Sequence, residues 1–206
     1  MLKYQFPLKD PYKLGTRYGV AGKLWKCGWH SGLDFYSKSA GGDGRVYPIA
    51  DGIIDKSSKG ASYGNHVCVK HDDGYISLYA HLASPVTLPN GARVTTDTLL
   101  GIEGNTGNST APHLHIEIHK DRYSYPAKID PLKFLQERIA EYEKAVKEAS
   151  ISMDNKPDSW AREALEWALN NKIISGDDKG DLKLHAGCTR QEMVVFLHRL
   201  FNLLKK

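Results

Sequence analysis

The spacing of hydrophobic and polar residues changes near residue 130. Upstream of that point, short runs rich in β-branched and aromatic residues alternate with turns such as Asp51-Gly52 and Pro89-Asn90-Gly91. Many short strands at close spacing are typical of a mostly antiparallel β domain. The predicted strands cover residues 44–50, 52–57, 65–71, 75–81, 99–103 and 113–119.

Downstream of residue 130 the spacing becomes helical. Asp130-Pro131 is typical of an N-cap followed by proline at the first helical position. The pattern predicts either a helix that packs on its own domain or a short coiled coil that forms a homodimer through residues 131–150. The apolar positions of this heptad-like pattern are Leu132, Leu135, Ile139, Tyr142, Val146 and Ala149.

A polar, linker-like segment at residues 150–158 precedes a small helical unit. Thr189-Arg190-Gln191-Glu192 matches a capping box and opens the final helix. We therefore expect an α+β, multidomain chain, with a domain at 1–130, a linker helix at 131–150 and a small helical domain at 156–206. The apolar positions of this last unit are Trp160, Ala164, Trp167, Ala168, Met193, Phe196, Leu197, Leu200 and Leu204.

Composition and charge exclude several classes of function. The 206 residues are 41% hydrophobic, and the formal net charge of +4 is not arranged as the dense basic stripe of a nucleic-acid binder. No apolar run approaches the ~20 residues of a membrane span, and the N-terminus shows no signal-peptide core. We expect a chain made in the cytoplasm without a signal peptide and not inserted in a membrane. Three cysteines, which cannot all pair, predict free thiols in a reducing compartment.

The histidines carry the most specific chemistry. In the run from His113 to His119, apolar and polar residues alternate strictly, and residues two apart share one face of a strand. Leu114, Ile116 and Ile118 should therefore face the core. The opposite, exposed face would carry His113, His115, Glu117 and His119. Such a pattern by itself fits a plain polar face as well as a metal site.

Two other segments add residues of the same kind. In an extended His30-Ser31-Gly32-Leu33-Asp34 the first and last side chains point the same way, although a polar turn is the alternative. Tyr79-Ala80-His81-Leu82 places a further histidine at the end of a predicted strand. Together these segments offer two histidines and one aspartate as ligands to one Zn²⁺ ion, with two further histidines nearby. Three protein ligands leave a position for water, as in catalytic zinc sites.

In this order, the sequence pieces resemble the lysostaphin-type zinc endopeptidases of bacterial cell walls. The resemblance covers roughly residues 15–132. It implies an antiparallel β-sheet domain with a groove, and cleavage of peptide bonds in peptidoglycan stems or cross-bridges. The pieces that carry it are His30-x-x-x-Asp34, Tyr63-Gly64-Asn65-His66-Val67-Cys68-Val69, Tyr79-Ala80-His81-Leu82 and Gly104-Asn105-Thr106-Gly107-Asn108-Ser109-Thr110-Ala111-Pro112-His113-Leu114-His115.

The resemblance also implies the roles of individual residues. One zinc ion per chain would be held by three ligands, His30, Asp34 and His115. Two histidines outside the ligand set, His81 and His113, would act as a general base or bind the oxyanion. Asn65 would help to position substrate. A tyrosine that family members often carry shortly before the first ligand has no counterpart at residues 24–29, and the nearest upstream tyrosine is Tyr18.

The C-terminal unit resembles a single S-layer homology module, on the pieces Trp160–Ala168, Ile173–Asp177 and Thr189–Glu192. This implies binding to a secondary cell-wall polysaccharide, with Arg190 on an acidic glycan or, alternatively, only part of a helix start. A wall-cutting enzyme without a signal peptide resembles a phage or prophage endolysin that acts at the bacterial cell wall. A bacterial autolysin, a non-catalytic wall-binding protein and a zinc amidase are the alternatives.

Overall fold

A computed structural model describes residues 2–9, 11–23, 25, 27–121, 128–154, 161–174, 182 and 190–204, without the side chains of 148–154, 190–193 and 203. The chain divides into two compact units, Met1–Tyr142 and Glu143–Lys206. The predicted domain boundaries at 130, 150 and 156 stay a prediction.

The first unit is built on antiparallel β-sheet. An eight-stranded sheet has the order β1-β2-β9-β6-β5-β4-β7, with β10 also paired to β9, and β3 pairs with β8 in a small second sheet. The strands are β1 Lys13–Leu14, β2 Leu33–Tyr36, β3 Arg45–Val46, β4 Gly52–Gly60, β5 Gly64–His71, β6 Tyr75–Leu82, β7 Arg93–Val94, β8 Gly101–Ile102, β9 Leu114–Lys120 and β10 Lys128–Ile129.

The predicted antiparallel β domain is confirmed. A strand lies within or across each of the six predicted segments, but β1, β2, β7 and β10 were not predicted. These four strands have only two to four residues, too few to show a period of two. The omission matters for β2, because Asp34 lies in that strand.

Strand β9 has the two faces that its alternation predicts. Leu114, Ile116 and Ile118 are buried in the main hydrophobic core. On the other face, however, His115, Glu117 and His119 are buried as well, so the expectation of an exposed face was wrong. A buried polar face needs hydrogen-bond partners from elsewhere in the chain, which is the setting of a site and not of a solvated surface.

Helix α1 spans Pro131–Asp154, longer than predicted. The predicted N-cap is present, since Asp130 Oδ1 accepts hydrogen bonds from the backbone N–H of Leu132 and of Lys133 at 2.9 and 3.3 Å. Phe134 and Leu135 join the core of the first unit, which agrees with a helix that packs on its own domain. The homodimer through residues 131–150 stays a prediction.

The second unit contains helices α2 Arg162–Asn170 and α3 Arg190–Leu204. Ala168 and Ile173 are buried, whereas the α3 residues Leu197 and Leu204 are exposed. Within the part of the chain that the structure describes, no helix is long and apolar enough to span a membrane. The capping-box residue Thr189, the side chain of Arg190, and Trp160 and Cys188 lie outside the described residues.

A series of hydrogen bonds connects the buried residues His71, Ser77 and Tyr79 of strands β5 and β6. His71 Nδ1 lies 3.2 Å from the carbonyl oxygen of Asp51, which can only accept, so Nδ1 carries the proton. His71 Nε2 lies 2.7 Å from the Ser77 hydroxyl oxygen, and the Ser77 hydroxyl donates to the Tyr79 hydroxyl oxygen at 2.9 Å. Burial disfavours the charged imidazole and lowers the pKa of His71.

We expect the chain to lose stability as the pH falls below about 6.5, because burial lowers the pKa of His71 from 6.5. The unfolded chain then binds a proton that the folded chain does not, at up to ~1.4 kcal/mol per pH unit. The measurement is the urea unfolding free energy between pH 7.5 and 5. His71→Gln should lose less over this range than the wild type or the half-buried control His66→Gln. Identical pH profiles for all three proteins would contradict this role.

Candidate metal centre

A cavity of about 400 Å³ opens on the polar face of the sheet. Residues of strands β2, β6 and β9 and of the loop before β9 line it together with an aromatic loop around Trp25. Its described lining residues are Thr16, Trp25, Cys27, His30, Ser31, Asp34, Tyr36, Ser62, Tyr63, His81, Asn108, Ser109, Thr110, Ala111, His113, His115 and Lys128.

Three side-chain atoms converge at the base of this cavity. His30 Nε2 and His115 Nδ1 are 3.0 Å apart, and Asp34 Oδ1 lies 3.0 Å from the first and 2.9 Å from the second. Ligand atoms about 2.0 Å from a tetrahedral zinc ion would be about 3.3 Å apart. The triangle is therefore close to the size that one such ion requires.

The protonation of the two rings explains why this triangle favours a cation. His30 Nδ1 lies 3.1 Å from the carbonyl oxygen of Arg17, and His115 Nε2 lies 3.3 Å from a Glu117 oxygen, so both outer nitrogens donate. In the neutral rings both inner nitrogens then carry lone pairs that face the Asp34 oxygen. Three electron-rich atoms at this distance repel one another unless a proton or a metal ion lies among them. The donor set of two nitrogens and one oxygen fits zinc.

Sheet register places the ligand atoms. Asp34 in β2 and Ala80 in β6 are the direct cross-strand neighbours of His115 in β9. Burial alone would raise the pKa of the Asp34 carboxyl, but when a proton lies among the three atoms, hydrogen bonding and charge from His115 and His30 hold that pKa well below the usual range. Asp34 is therefore a carboxylate, as a metal ligand must be.

Two further histidines face the same cavity. The His81 and His113 ring centroids are 4.7 Å apart, and that of His81 lies 5.8 Å from that of His115. His81 Nδ1 donates to the Thr106 carbonyl at 2.7 Å, which leaves the lone pair on Nε2, and burial lowers the pKa of His81 to about 4. His113 Nδ1 donates to the Ala111 carbonyl at 2.8 Å. Both rings are thus oriented by backbone carbonyls of one loop.

His81 holds an unusual backbone conformation. Its φ of 62° lies in the left-handed region, which L-residues other than glycine rarely adopt. The loop that carries Thr106 packs backbone against backbone here. A Cβ on Gly104 would lie 2.4 Å from Ala83 N, and one on Gly107 would lie 2.2 Å from Gly64 N. The glycines of the Gly104-Asn105-Thr106-Gly107 motif therefore allow the close approach that fixes His81.

The remaining predicted residues have other surroundings. Asn65 is buried and is not among the described cavity residues, and its Nδ2 donates to the Leu82 carbonyl at 3.1 Å, beside His81. Its role toward substrate stays a prediction. Tyr18 packs its ring against Trp29 and donates to the Lys128 carbonyl at 3.3 Å. Among the described residues, the tyrosines that line the cavity are instead Tyr36 and Tyr63.

Sequence reasoning gave no role to Tyr36, Tyr63 or Glu117. Tyr36 follows Asp34 by two residues in β2, so the two side chains share a face. This spacing would have placed Tyr36 beside the ligand candidate if β2 had been predicted. Burial alone would raise the pKa of Glu117, but hydrogen bonds from His115 and His119 and the charge of Lys128 hold its pKa well below the usual range. The sequence carried no signal for this burial.

Comparison with known protein families agrees with this geometry. The model of peptidase family M23 matches residues 28–130, half of the chain, a region that contains the five histidine and aspartate residues described above. The chain belongs to peptidase family M23. M23 peptidases are zinc-dependent, and the His30–Asp34–His115 triangle is present here.

Several M23 relatives are similar to the same region. Peptidoglycan DD-endopeptidase ShyA of Vibrio cholerae serotype O1 is 35% identical over 89 residues, which cover 43% of this chain and 20% of ShyA. Glycyl-glycine endopeptidase ALE-1 of Staphylococcus capitis is 34% identical over 127 residues, or 61% of this chain and 34% of ALE-1. The matched region thus spans only 20% and 34% of the lengths of these two relatives.

A solved M23 structure has a similar fold. The catalytic domain of the antimicrobial peptidase lysostaphin from Staphylococcus simulans is 32% identical, with a TM-score of 0.55. The match covers 61% of this chain and 92% of that domain. The mostly antiparallel β peptidase domain expected from the sequence is therefore confirmed as an M23 fold.

Proposed function

We propose that this chain is a zinc metalloendopeptidase that cleaves peptide bonds in bacterial peptidoglycan. The observation that carries the proposal is the triangle of His30, Asp34 and His115 beside His81 and His113 in one cavity. ShyA is named as a peptidoglycan endopeptidase, which supports the substrate, and ALE-1 is named as a glycyl-glycine endopeptidase, which supports cleavage of a peptide bond. Peptide stems and cross-bridges are both within this proposal.

In this mechanism His30, Asp34 and His115 would hold the zinc ion. When bound, zinc lowers the pKa of a water molecule to about 7 and polarises a carbonyl group. The Nε2 lone pair of His81 accepts a proton from the attacking water, since Nδ1 is committed to Thr106. His81 would then pass this proton to the leaving amine. His113, whose Nε2 lies 3.7 Å from the Asp34 oxygen, would bind the developing oxyanion as the imidazolium.

The test is the loss of turbidity of purified cell walls, with and without a zinc chelator, followed by mass spectrometry of the fragments. Chelator-sensitive clearing with new amino groups on peptides is the expected result, since the bond cut is a peptide bond. An intact muramyl–peptide linkage would separate this activity from that of an amidase. Absence of clearing on several wall types, with one zinc bound per chain, would instead favour a non-catalytic wall-binding protein.

The role of the C-terminal unit rests on sequence alone. We propose that residues 156–206 form an S-layer-homology-like module that binds a secondary cell-wall polysaccharide, with Arg190 at the acidic glycan. Its motif pieces at 175–177 and at Thr189 lie outside the described residues. A single module would bind weakly, so a homodimer through residues 131–150 would increase wall affinity through avidity. The role of a phage or prophage endolysin also stays a prediction.

A further inference from the structure

Glu117 is a fully buried carboxylate in the strand that carries the metal-ligand candidate His115. Among the residues that the structure describes, five side chains lie within hydrogen-bond distance of its two oxygens. Oε1 accepts from Tyr63 and Lys128 at 2.8 Å each, from Ser31, and from His115 Nε2 at 3.3 Å. Oε2 accepts from His119 Nε2 at 3.0 Å.

These partners come from separate parts of the chain and meet at one carboxylate. Ser31 follows the ligand candidate His30, and the Tyr63 carbonyl accepts the backbone N–H of His81 at 2.8 Å. Lys128 lies in β10, opposite His119. Glu117 therefore connects the segments that carry the ligand triangle with the segment that positions His81.

Charge and burial explain why this cluster is rigid. An isolated buried carboxylate is costly, and here the ammonium group of Lys128, itself almost fully buried, lies 2.8 Å away. Three of the remaining donors also lie around Oε1, and His119 lies at Oε2. The cluster has little freedom to move, so the direction in which it accepts the His115 Nε2 proton is fixed.

From this geometry we propose that Glu117 is a positioning residue that holds the His115 ring in the tautomer and orientation that present Nδ1 to zinc. Ser31, Tyr63 and Lys128 in turn hold Glu117 in place. The inference rests on the proposed zinc-peptidase function. This role differs from that of a purely structural ion pair. Glu117 accepts the Nε2 proton of His115, so a change at Glu117 would alter the affinity for the metal.

The experiment measures zinc affinity by competition with a chromogenic chelator. Glu117→Gln is expected to weaken zinc binding about 10–100-fold, the usual effect of removing an outer partner of a metal-bound histidine. Cobalt substitution gives a second readout, since the visible spectrum of Co²⁺ reports ligand geometry and should change. The matched control is Glu103→Gln, another fully buried carboxylate, which accepts from the backbone N–H of Ser37 instead.

A second variant is needed in case Glu117→Gln folds poorly, because Lys128 would then stay buried without its carboxylate partner. Glu117→Gln/Lys128→Met removes both charges and should still bind zinc about 10–100-fold more weakly. Zinc affinity within threefold of wild type and an unchanged cobalt spectrum in the folded double variant would overturn the inference. So would an equal loss in Glu103→Gln. Wild-type protein that binds zinc but leaves cell walls intact would instead contradict the proposed function, while the affinity comparison still decides this inference.

Discussion

His115→Ala is expected to abolish zinc binding and cell-wall cleavage together. The imidazole supplies one corner of the ligand triangle, and the two atoms that remain, on His30 and Asp34, are an incomplete site. The loss of zinc affinity should exceed the ~10–100-fold change that outer partners of a ligand cause. The measurements are zinc content after dialysis against a weak chelator and the initial rate of turbidity loss.

The control for His115→Ala is His66→Ala. His66 lies in β5, is hydrogen-bonded to the Ser58 hydroxyl at 2.9 Å and is not among the described cavity residues. It should keep one zinc ion per chain and its wall-clearing activity. Stoichiometric zinc of wild-type affinity in His115→Ala would contradict the ligand assignment.

His81→Ala is expected to keep zinc and to lose activity by about 10²–10⁴-fold, the usual contribution of a general base. Its ring lies beside the triangle without belonging to it, and its Nε2 lone pair is the group that is lost. Zinc content and turnover, measured on the same preparation, separate binding from catalysis.

The backbone at position 81 requires a second variant. Alanine at a φ of 62° is strained by about 1–2 kcal/mol, so His81→Ala could lose activity through a displaced strand end. Asparagine tolerates this conformation better, and His81→Asn should fold with stability near that of wild type while activity is still lost. Thermal unfolding checks the stability. Normal turnover in His81→Asn would refute the role of His81 as a base.

Local patterns in the sequence were sufficient for part of the site. Alternation alone assigned the faces of β9, and the i, i+4 spacing in His30-x-x-x-Asp34 placed two ligand candidates together. The structure brings these segments into contact through strand pairing between Asp34 and His115, which are 81 residues apart. The sequence alone offered these residues to one zinc ion, and the family resemblance assigned them as its ligands.

The surroundings of Glu117 could not be predicted in the same way. Alternation shows which face a side chain occupies but not what covers that face. Three side chains cover Glu117: Ser31 from a loop, Tyr63 from a turn and Lys128 from the two-residue strand β10. None of these segments has a periodic sequence pattern. The burial of the Glu117 carboxylate therefore results from tertiary packing and not from the local sequence.

The loop before β9 contains positions whose amino acids should change at different rates during evolution. Gly104 and Gly107 are held by backbone contacts that leave no volume for a Cβ atom, so almost any change at these two positions would be removed by selection. Asn108 and Thr110 line the cavity and are exposed. Variation among descendants of this chain should therefore accumulate at 108 and 110, where it would alter the lining of the cavity without disturbing the histidines next to it.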